Sequence, residues 1–297
     1  MNRTIDEGVA EVVGMATATA ERRTTIEEVR RYWDRRPCNV RHSPQEPGTR
    51  AYFDEVEARK YFVEPHIPSF AEFPRWRGKR VLEVGCGIGT DTINFARAGA
   101  RVTAVDLSGR SLEIARRRAE VFGVADRIRF VLGDAESLSR HVTPESYDLV
   151  YSFGVIHHTP RPDRAVAEIR KFVRPGSAVK LMLYHRYATK VLGILLREGR
   201  GAVWRLDELA ARHSEAQTGC PVTSLWTPAR ARRLLAGFRI RSMRVEHIFP
   251  YRVEDYVQYR YRMAWPFRWM PGPLFRTMER VFGWHLLINA ETGANVE

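Results

Sequence analysis

Three glycines spaced two apart, Gly85, Gly87 and Gly89, follow the apolar run Val81-Leu82-Glu83-Val84. A strand that turns into a helix through such a run can pass its backbone close to a ligand and adopt φ values closed to other residues. Thr90 stands where a dinucleotide fingerprint wants its third glycine, which disfavours NAD, and no phosphate-cradling G-x-x-x-x-G-K-[ST] occurs at this turn. About twenty residues on, Asp106 closes the next apolar run, where a carboxylate can accept hydrogen bonds from both hydroxyls of a ribose. Gly133-Asp134-Ala135-Glu136 follows a third run, and Ser152 and Phe153 end a fourth. His157 and His158 come next; neutral imidazole can take a proton from a phenol, thiol or amine, or one of the two can instead cap or pack the following helix. Tyr184 and His185 end a fifth run and are candidates for contact with an acceptor, or ordinary strand ends.

These residues need a scaffold that delivers them to one edge. Short apolar segments alternate with amphipathic ones after Gly78, the pattern of a parallel α/β sheet. Strands are expected at 80–84, 101–105, 128–132, 147–152 and 178–184, and helices at 90–97, 109–122 and 161–173, with Arg174-Pro175-Gly176 as a turn closing the last. Two further strands at 238–246 and 284–290 imply a late hairpin and seven strands in all. In a doubly wound sheet the loops after Val84, Val105, Leu132 and Ser152 emerge at the carboxyl edge, so a nucleoside at the topological switch point would meet all of them.

Ahead of the sheet, Ile26, Val29, Tyr32 and Trp33 have helical spacing, with Thr24 or Thr25 as N-cap and Pro37 as stop. A second helical stretch runs from Tyr52 to Val63 and ends near Pro65. Residues 1–75 therefore read as a loose tail plus a helical cap, 76–185 as the ligand-binding core, and 186–297 as insertions around the closing hairpin. Trp33, Asp34, Cys38, Asn39 and His42 in the cap, with Glu215, Gln217 and Cys220 in the insertion, form a polar set without metal spacing, suited to a lid that excludes water.

The ordered set Leu82-Glu83-Val84-Gly85-Cys86-Gly87-Ile88-Gly89, Val105-Asp106-Leu107-Ser108, Gly133-Asp134-Ala135 and Phe153-Gly154-Val155-Ile156-His157-His158, with Arg174-Pro175-Gly176 before the fifth strand, resembles the class I S-adenosylmethionine-dependent methyltransferases. The likeness is greatest to the type 11 group that includes the ubiquinone and menaquinone enzymes. The resemblance implies a Rossmann-like seven-stranded sheet and S-adenosyl-L-methionine as cofactor. It implies that Glu83 and the turn Gly85, Cys86, Gly87 and Gly89 hold the methionine moiety and that Asp106 binds the ribose. Leu107 would pack on adenine, Asp134 with Ala135 would read its amine, and Ser152 with Phe153 would line the methyl side. Quinone O-methyltransferases carry glutamates near the histidines that can bind a divalent cation; Gly154 and His157 occupy those positions here, so no metal is expected.

The 297 residues hold 48 basic against 35 acidic side chains, a formal charge of +13. Hydrophobic residues at 44% exclude a disordered or collagen-like chain. Cys38, Cys86 and Cys220 fit neither a disulfide framework nor a zinc pair, although Cys38 and Cys220 could support thiol chemistry if brought together. No run approaches the 18 or so apolar residues a bilayer span requires, and residues 1–23 lack the apolar core of a secretory signal. A cytoplasmic protein is expected, with peripheral contact at the inner face of a membrane as an extension. Between 230 and 280, twelve arginines face four acids. Phe249, Tyr251, Tyr256, Tyr259, Tyr261, Trp265, Phe267 and Trp269 alternate with several of those arginines. Such a segment can wall an apolar substrate pocket or a homodimer contact, which ranks first; it can lie on an anionic membrane, which ranks second; or it can stack on nucleic acid, which ranks third. The expected activity is methyl transfer to an oxygen, less readily a nitrogen or sulfur, of a small apolar or lipid-like metabolite. An RNA-directed methyltransferase and a non-catalytic scaffold of the same fold are the alternatives.

Overall fold

A computed structural model of the chain describes residues 24–214 and 219–292. The expectations for residues 1–23 and for Glu215 and Gln217 lie outside the described residues. The cap opens with α1 (Ile26–Arg35), whose N-cap is Thr25: its hydroxyl accepts from the Glu28 N–H at 3.3 Å while the Thr25 N–H donates to Glu28 Oε2 at 2.8 Å. That reciprocal box stabilises the helix start by about 1 kcal/mol. Helix α2 (Arg50–Val63) is capped by Thr49, and a short α3 (His66–Ala71), which the sequence pattern does not announce, follows Pro65.

The core then runs β1 (Arg80–Val84), α4 (Thr90–Arg97), β2 (Arg101–Asp106), α5 (Gly109–Val121), β3 (Ile128–Leu132), β4 (Tyr147–Phe153), α6 (Pro162–Arg170) and β5 (Val173–Tyr184). Helices α7 (Thr189–Arg197), α8 (Leu206–His213) and α9 (Pro228–Leu234) precede β6 (Phe238–Glu246). Three more, α10 (Val253–Tyr256), α11 (Trp265–Arg268) and α12 (Gly272–Phe282), lead to β7 (His285–Thr292). The strands form one sheet in the order β3-β2-β1-β4-β5-β7-β6, parallel except for β7, which is antiparallel to both neighbours. This is the expected doubly wound sheet with its late hairpin, and the switch point lies between β1 and β4.

Pleating sends alternate side chains to opposite faces. Val81, Leu149 and Tyr151 pack on one face with Phe95 and Trp284, while Leu82, Val84 and Val150 pack on the other with Ile169 and Phe172. Two details differ from the sequence reading. Helix α6 stops at Arg170, and Arg174-Pro175-Gly176 is not a turn before the strand but a bulge inside β5, where pairing jumps from Tyr147 opposite Val173 to Leu149 opposite Ala178. Gly176 absorbs the bulge at φ 87°, a value a side chain would resist.

The cap is locked to the core by a buried ion pair. Lys60 Nζ donates to Asp91 Oδ1 at 2.8 Å, and the hydroxyls of Tyr61 and Tyr151 donate to the same carboxylate, each at 2.9 Å. Burial works against the ammonium, but the Asp91 charge beside it wins and raises the Lys60 pKa. Removing one member of such a pair strands the other and costs roughly 3 to 5 kcal/mol.

Candidate active site

A cavity of about 250 Å³ opens at the carboxyl edge of β1, β2 and β4. Gly85, Cys86 and Gly87 line its floor, with Asp106 and Leu107 after β2 and Asp134 and Ala135 after β3 on one side. Phe153, Val155, His158, Met182, Tyr184 and His285 line the other end, and Val29, Trp33, Cys38 and Asn39 of the cap close over it.

The glycine turn is shaped by what it must avoid. A Cβ on Gly85, at φ 81°, would lie 2.1 Å from a methyl of Val155, so no side chain fits. A Cβ on Gly87, at φ 54°, would meet nothing within 4 Å, and this residue lines the cavity with its backbone bare. Asp106 holds the turn in place: the Gly87 N–H donates to Oδ2 at 2.7 Å and the Ser108 N–H to Oδ1 at 2.8 Å. Burial pushes the Asp106 pKa up to about 6 against the pull of those two donors, so the carboxylate is anionic at neutral pH with lone pairs left to accept from a ligand diol. Asp34 of α1 accepts from the Ser108 hydroxyl at 2.7 Å, which ties the cap to the same loop. Asp134 takes the Glu136 N–H at 2.9 Å and so shapes the loop after β3.

Several candidates do not reach the cavity. Glu83 shares a face of β1 with Val81, and its buried carboxyl accepts from the Thr92 hydroxyl of α4 at 2.5 Å. Burial, reinforced by the charge of Asp91, raises its pKa to about 8, so it is protonated at neutral pH and braces the helix rather than lining the site. Ser152 is buried and donates to the Val84 carbonyl at 2.9 Å, and Gly89 begins α4 away from the cavity wall. His157 is fully buried, its ring 3.7 Å from that of Tyr184, and it does not line the cavity; burial holds it neutral. His185 likewise turns from the cavity, with Nδ1 3.2 Å from the Gly283 carbonyl. Cys38 and Cys220 are separate free thiols, one exposed and one buried.

His158 is the member of the pair that faces in. Its Nδ1 lies 2.9 Å from the Val222 carbonyl, with the Thr223 hydroxyl at 3.1 Å and the Cys220 thiol at 3.5 Å; the carbonyl can only accept, which favours the proton on Nδ1 and makes Nε2 the basic nitrogen. The ring of Trp33 meets it edge-on at 5.2 Å. Lys60, Glu64, Met182 and His285 also line the cavity and are absent from the sequence-derived set. Nothing between residues 249 and 284 lines it, so the basic aromatic segment is not the pocket wall its composition suggested. Instead Arg59 of α2 stacks on Tyr256 and Tyr259 at 4.1 and 4.3 Å, and Phe62 packs on Tyr251 and Tyr261.

Residues 81–176 match the family described as methyltransferase domain. The core is a class I S-adenosylmethionine-dependent methyltransferase domain. Its curated relatives include a ubiquinone biosynthesis O-methyltransferase of Paracidovorax citrulli, 32% identical over 158 residues that make up 50% of this chain and 66% of that one. The chain spans about a third to two thirds of the length of the curated relatives it matches. Among solved structures, the fold resembles magnesium protoporphyrin IX methyltransferase of Synechocystis PCC 6803, with TM-score 0.56 at 16% identity over 91% of this chain and all of that one. It also resembles the [4+2]-cyclase SpnF, with TM-score 0.55 at 18% identity over 90% of this chain and 96% of that one. The cofactor of the family is S-adenosylmethionine, and the methyltransferase domain fits it: a bare glycine at the floor, an anionic carboxylate beside it and apolar Leu107 and Ala135 at the adenine end.

Proposed function

We propose that the protein transfers a methyl group from S-adenosylmethionine to an oxygen of a small, largely apolar acceptor. The observation that carries this reading is continuity: the cavity that begins at Asp106 and the glycine turn runs on to Phe153, Met182, Tyr184 and His158. The cap roofs that far end with Val29 and Trp33, which favours a small acceptor over a polynucleotide. Because a cyclase shares this fold, the fold alone does not choose the reaction, and the basic nitrogen of His158 at the cavity is what supports proton removal from a hydroxyl acceptor.

When bound, S-adenosylmethionine supplies a methyl carbon that leaves sulfur as an acceptor lone pair bonds to it, the carbon–sulfur electron pair returning to sulfur to give S-adenosylhomocysteine. The chain's own work is to align and to exclude water. Asp106 and the Gly85 to Gly87 backbone fix the nucleoside end, and positioning of this kind can supply much of the rate. His158 Nε2 accepts the hydroxyl proton of the acceptor, while the Val222 carbonyl steadies the resulting imidazolium through Nδ1–H. Aromatic Phe153 and Tyr184 favour a flat or hydrocarbon acceptor.

Calorimetric titration with S-adenosylmethionine and S-adenosylhomocysteine, with NAD as control, tests the reading. Micromolar binding of the first two without the third is expected, followed by methyl transfer to phenols or hydroxylated lipids in a screen. Absence of binding by both adenosyl compounds would sink it.

A further inference from the structure

Beyond the base, the acceptor end of the cavity gathers four groups that the chemistry above does not use. Glu64 follows α2, His66 opens α3, His247 follows β6 and His285 opens β7. Glu64 and His285 line the cavity. One donor atom each from Glu64, His247 and His285 lie within 4.8 Å of one another, with His285 Nε2 3.6 Å from Glu64 Oε1. Two ligands on one tetrahedral zinc at about 2.1 Å stand about 3.4 Å apart, so this separation is that of ligands, longer than a hydrogen bond. His66 Nε2 lies 2.9 Å from His285 Nδ1, the outer contact that leaves a metal-binding histidine its Nε2 and fixes its tautomer. His247 is 7% exposed, yet its ring makes no hydrogen bond to any described residue. The His247 ring sits beside those of His66 and His285, at 5.4 and 4.6 Å, so its nitrogens are held next to the other donors.

We propose that Glu64, His247 and His285 form a two-histidine, one-carboxylate site for a divalent transition-metal cation of the zinc or iron(II) class, with its open positions toward the acceptor end of the cavity. Neutral imidazole is the form that binds metal, and burial keeps His247 and His285 neutral at physiological pH. The set is separate from the segment after β4 where quinone O-methyltransferases place their acids, and it replaces the expectation of no metal that rested on that segment. Its role, to hold the acceptor oxygen beside His158, rests on the methyl-transfer reading; metal binding itself does not.

The test is titration of chelator-dialysed protein with Zn²⁺ by calorimetry, and with Co²⁺ by visible absorption, in a Cys38→Ser background that removes the exposed thiol. One Zn²⁺ per chain is expected, with visible Co²⁺ bands that excess Zn²⁺ erases. His247→Ala and Glu64→Gln should each weaken Zn²⁺ at least tenfold, and His66→Gln by about tenfold. S-adenosylhomocysteine affinity, measured on every variant, reports folding and tests the methyl-transfer reading independently. A variant that keeps that affinity while losing Zn²⁺ supports the site. Zn²⁺ binding to His247→Ala as tight as to the parent, or no binding by the parent, overturns it. If the parent binds Zn²⁺ and His247→Ala does not, while neither adenosyl compound binds the parent, the metal site stands and the methyl-transfer reading falls.

Discussion

Asp106 and His158 face the same cavity but are held there by different means. The wall containing Asp106 comes from one continuous run of chain, Val84 to Ala135, and its atoms are placed by backbone of that same run: Ser108 N–H and Glu136 N–H donate to aspartates two residues away, and Gly87 N–H to Asp106 nineteen residues on. The wall containing His158 is gathered from the cap, β4, β5 and β7, and each side chain is set by a distant partner, Val222 for His158 and His66 for His285. A wall built from local turns survives as a unit when the remainder of a chain changes. A wall built from tertiary contacts can be altered one segment at a time, which suits it to choosing an acceptor.

The largest break in that comparison should come from His158→Ala. Losing a general base costs about 10² to 10⁴ in turnover, and the distant wall should not notice, so S-adenosylhomocysteine affinity should stay within about twofold. Undiminished turnover would make the Val222 contact purely structural.

Legibility in the sequence follows the same divide. The bounds of β1, α4, β3 and β6 are those read from apolar runs and glycine punctuation, because local pattern dictates them. Gly85, Gly87, Asp106, Leu107, Asp134 and Ala135 are likewise in the cavity as placed by motif. Glu83 and Ser152 stand in the motif yet do not line the cavity, because a motif gives position along a strand whereas the pleat decides which way the side chain points; Glu83 shares its face with Val81. The adjacent His157 and His158 could not be told apart, since a single 3₁₀ turn, Ile156–His158, points one inward and buries the other. His66 and His285 are 219 residues apart, and no spacing rule reaches that far. Arg174-Pro175-Gly176 signals a chain reversal by composition, yet the strand simply bulges there.

Asp106→Ala should produce the next largest effect, on the local wall alone. Two hydrogen bonds to a charged acceptor at about 1.5 kcal/mol each correspond to roughly a hundredfold loss of S-adenosylhomocysteine affinity. The parent adds a pH signature. The Asp106 pKa of about 6 means the carboxylate gains a proton as pH falls through that value, so affinity should be level above pH 7 and decline below about 6. The Asp106→Ala variant should lack that decline, and an identical pH profile in both proteins would remove the ribose role. Zn²⁺ affinity near neutral pH should be unmoved by the substitution, since Asp106 belongs to the other wall.

The smallest effect is expected where composition seemed most eloquent. The first half of the basic aromatic segment is consumed by the cap, with Tyr256 and Tyr259 under Arg59 and Tyr251 and Tyr261 against Phe62. The second half is not: Trp265 and Trp269 are 80% and 75% exposed. Replacing both by Ala should leave S-adenosylhomocysteine affinity within about twofold and stability within about 0.5 kcal/mol, the usual range for surface positions. A larger loss of affinity would mean that this segment closes on the cavity in solution, and the acceptor wall would then extend beyond β7 into the arginine-rich surface.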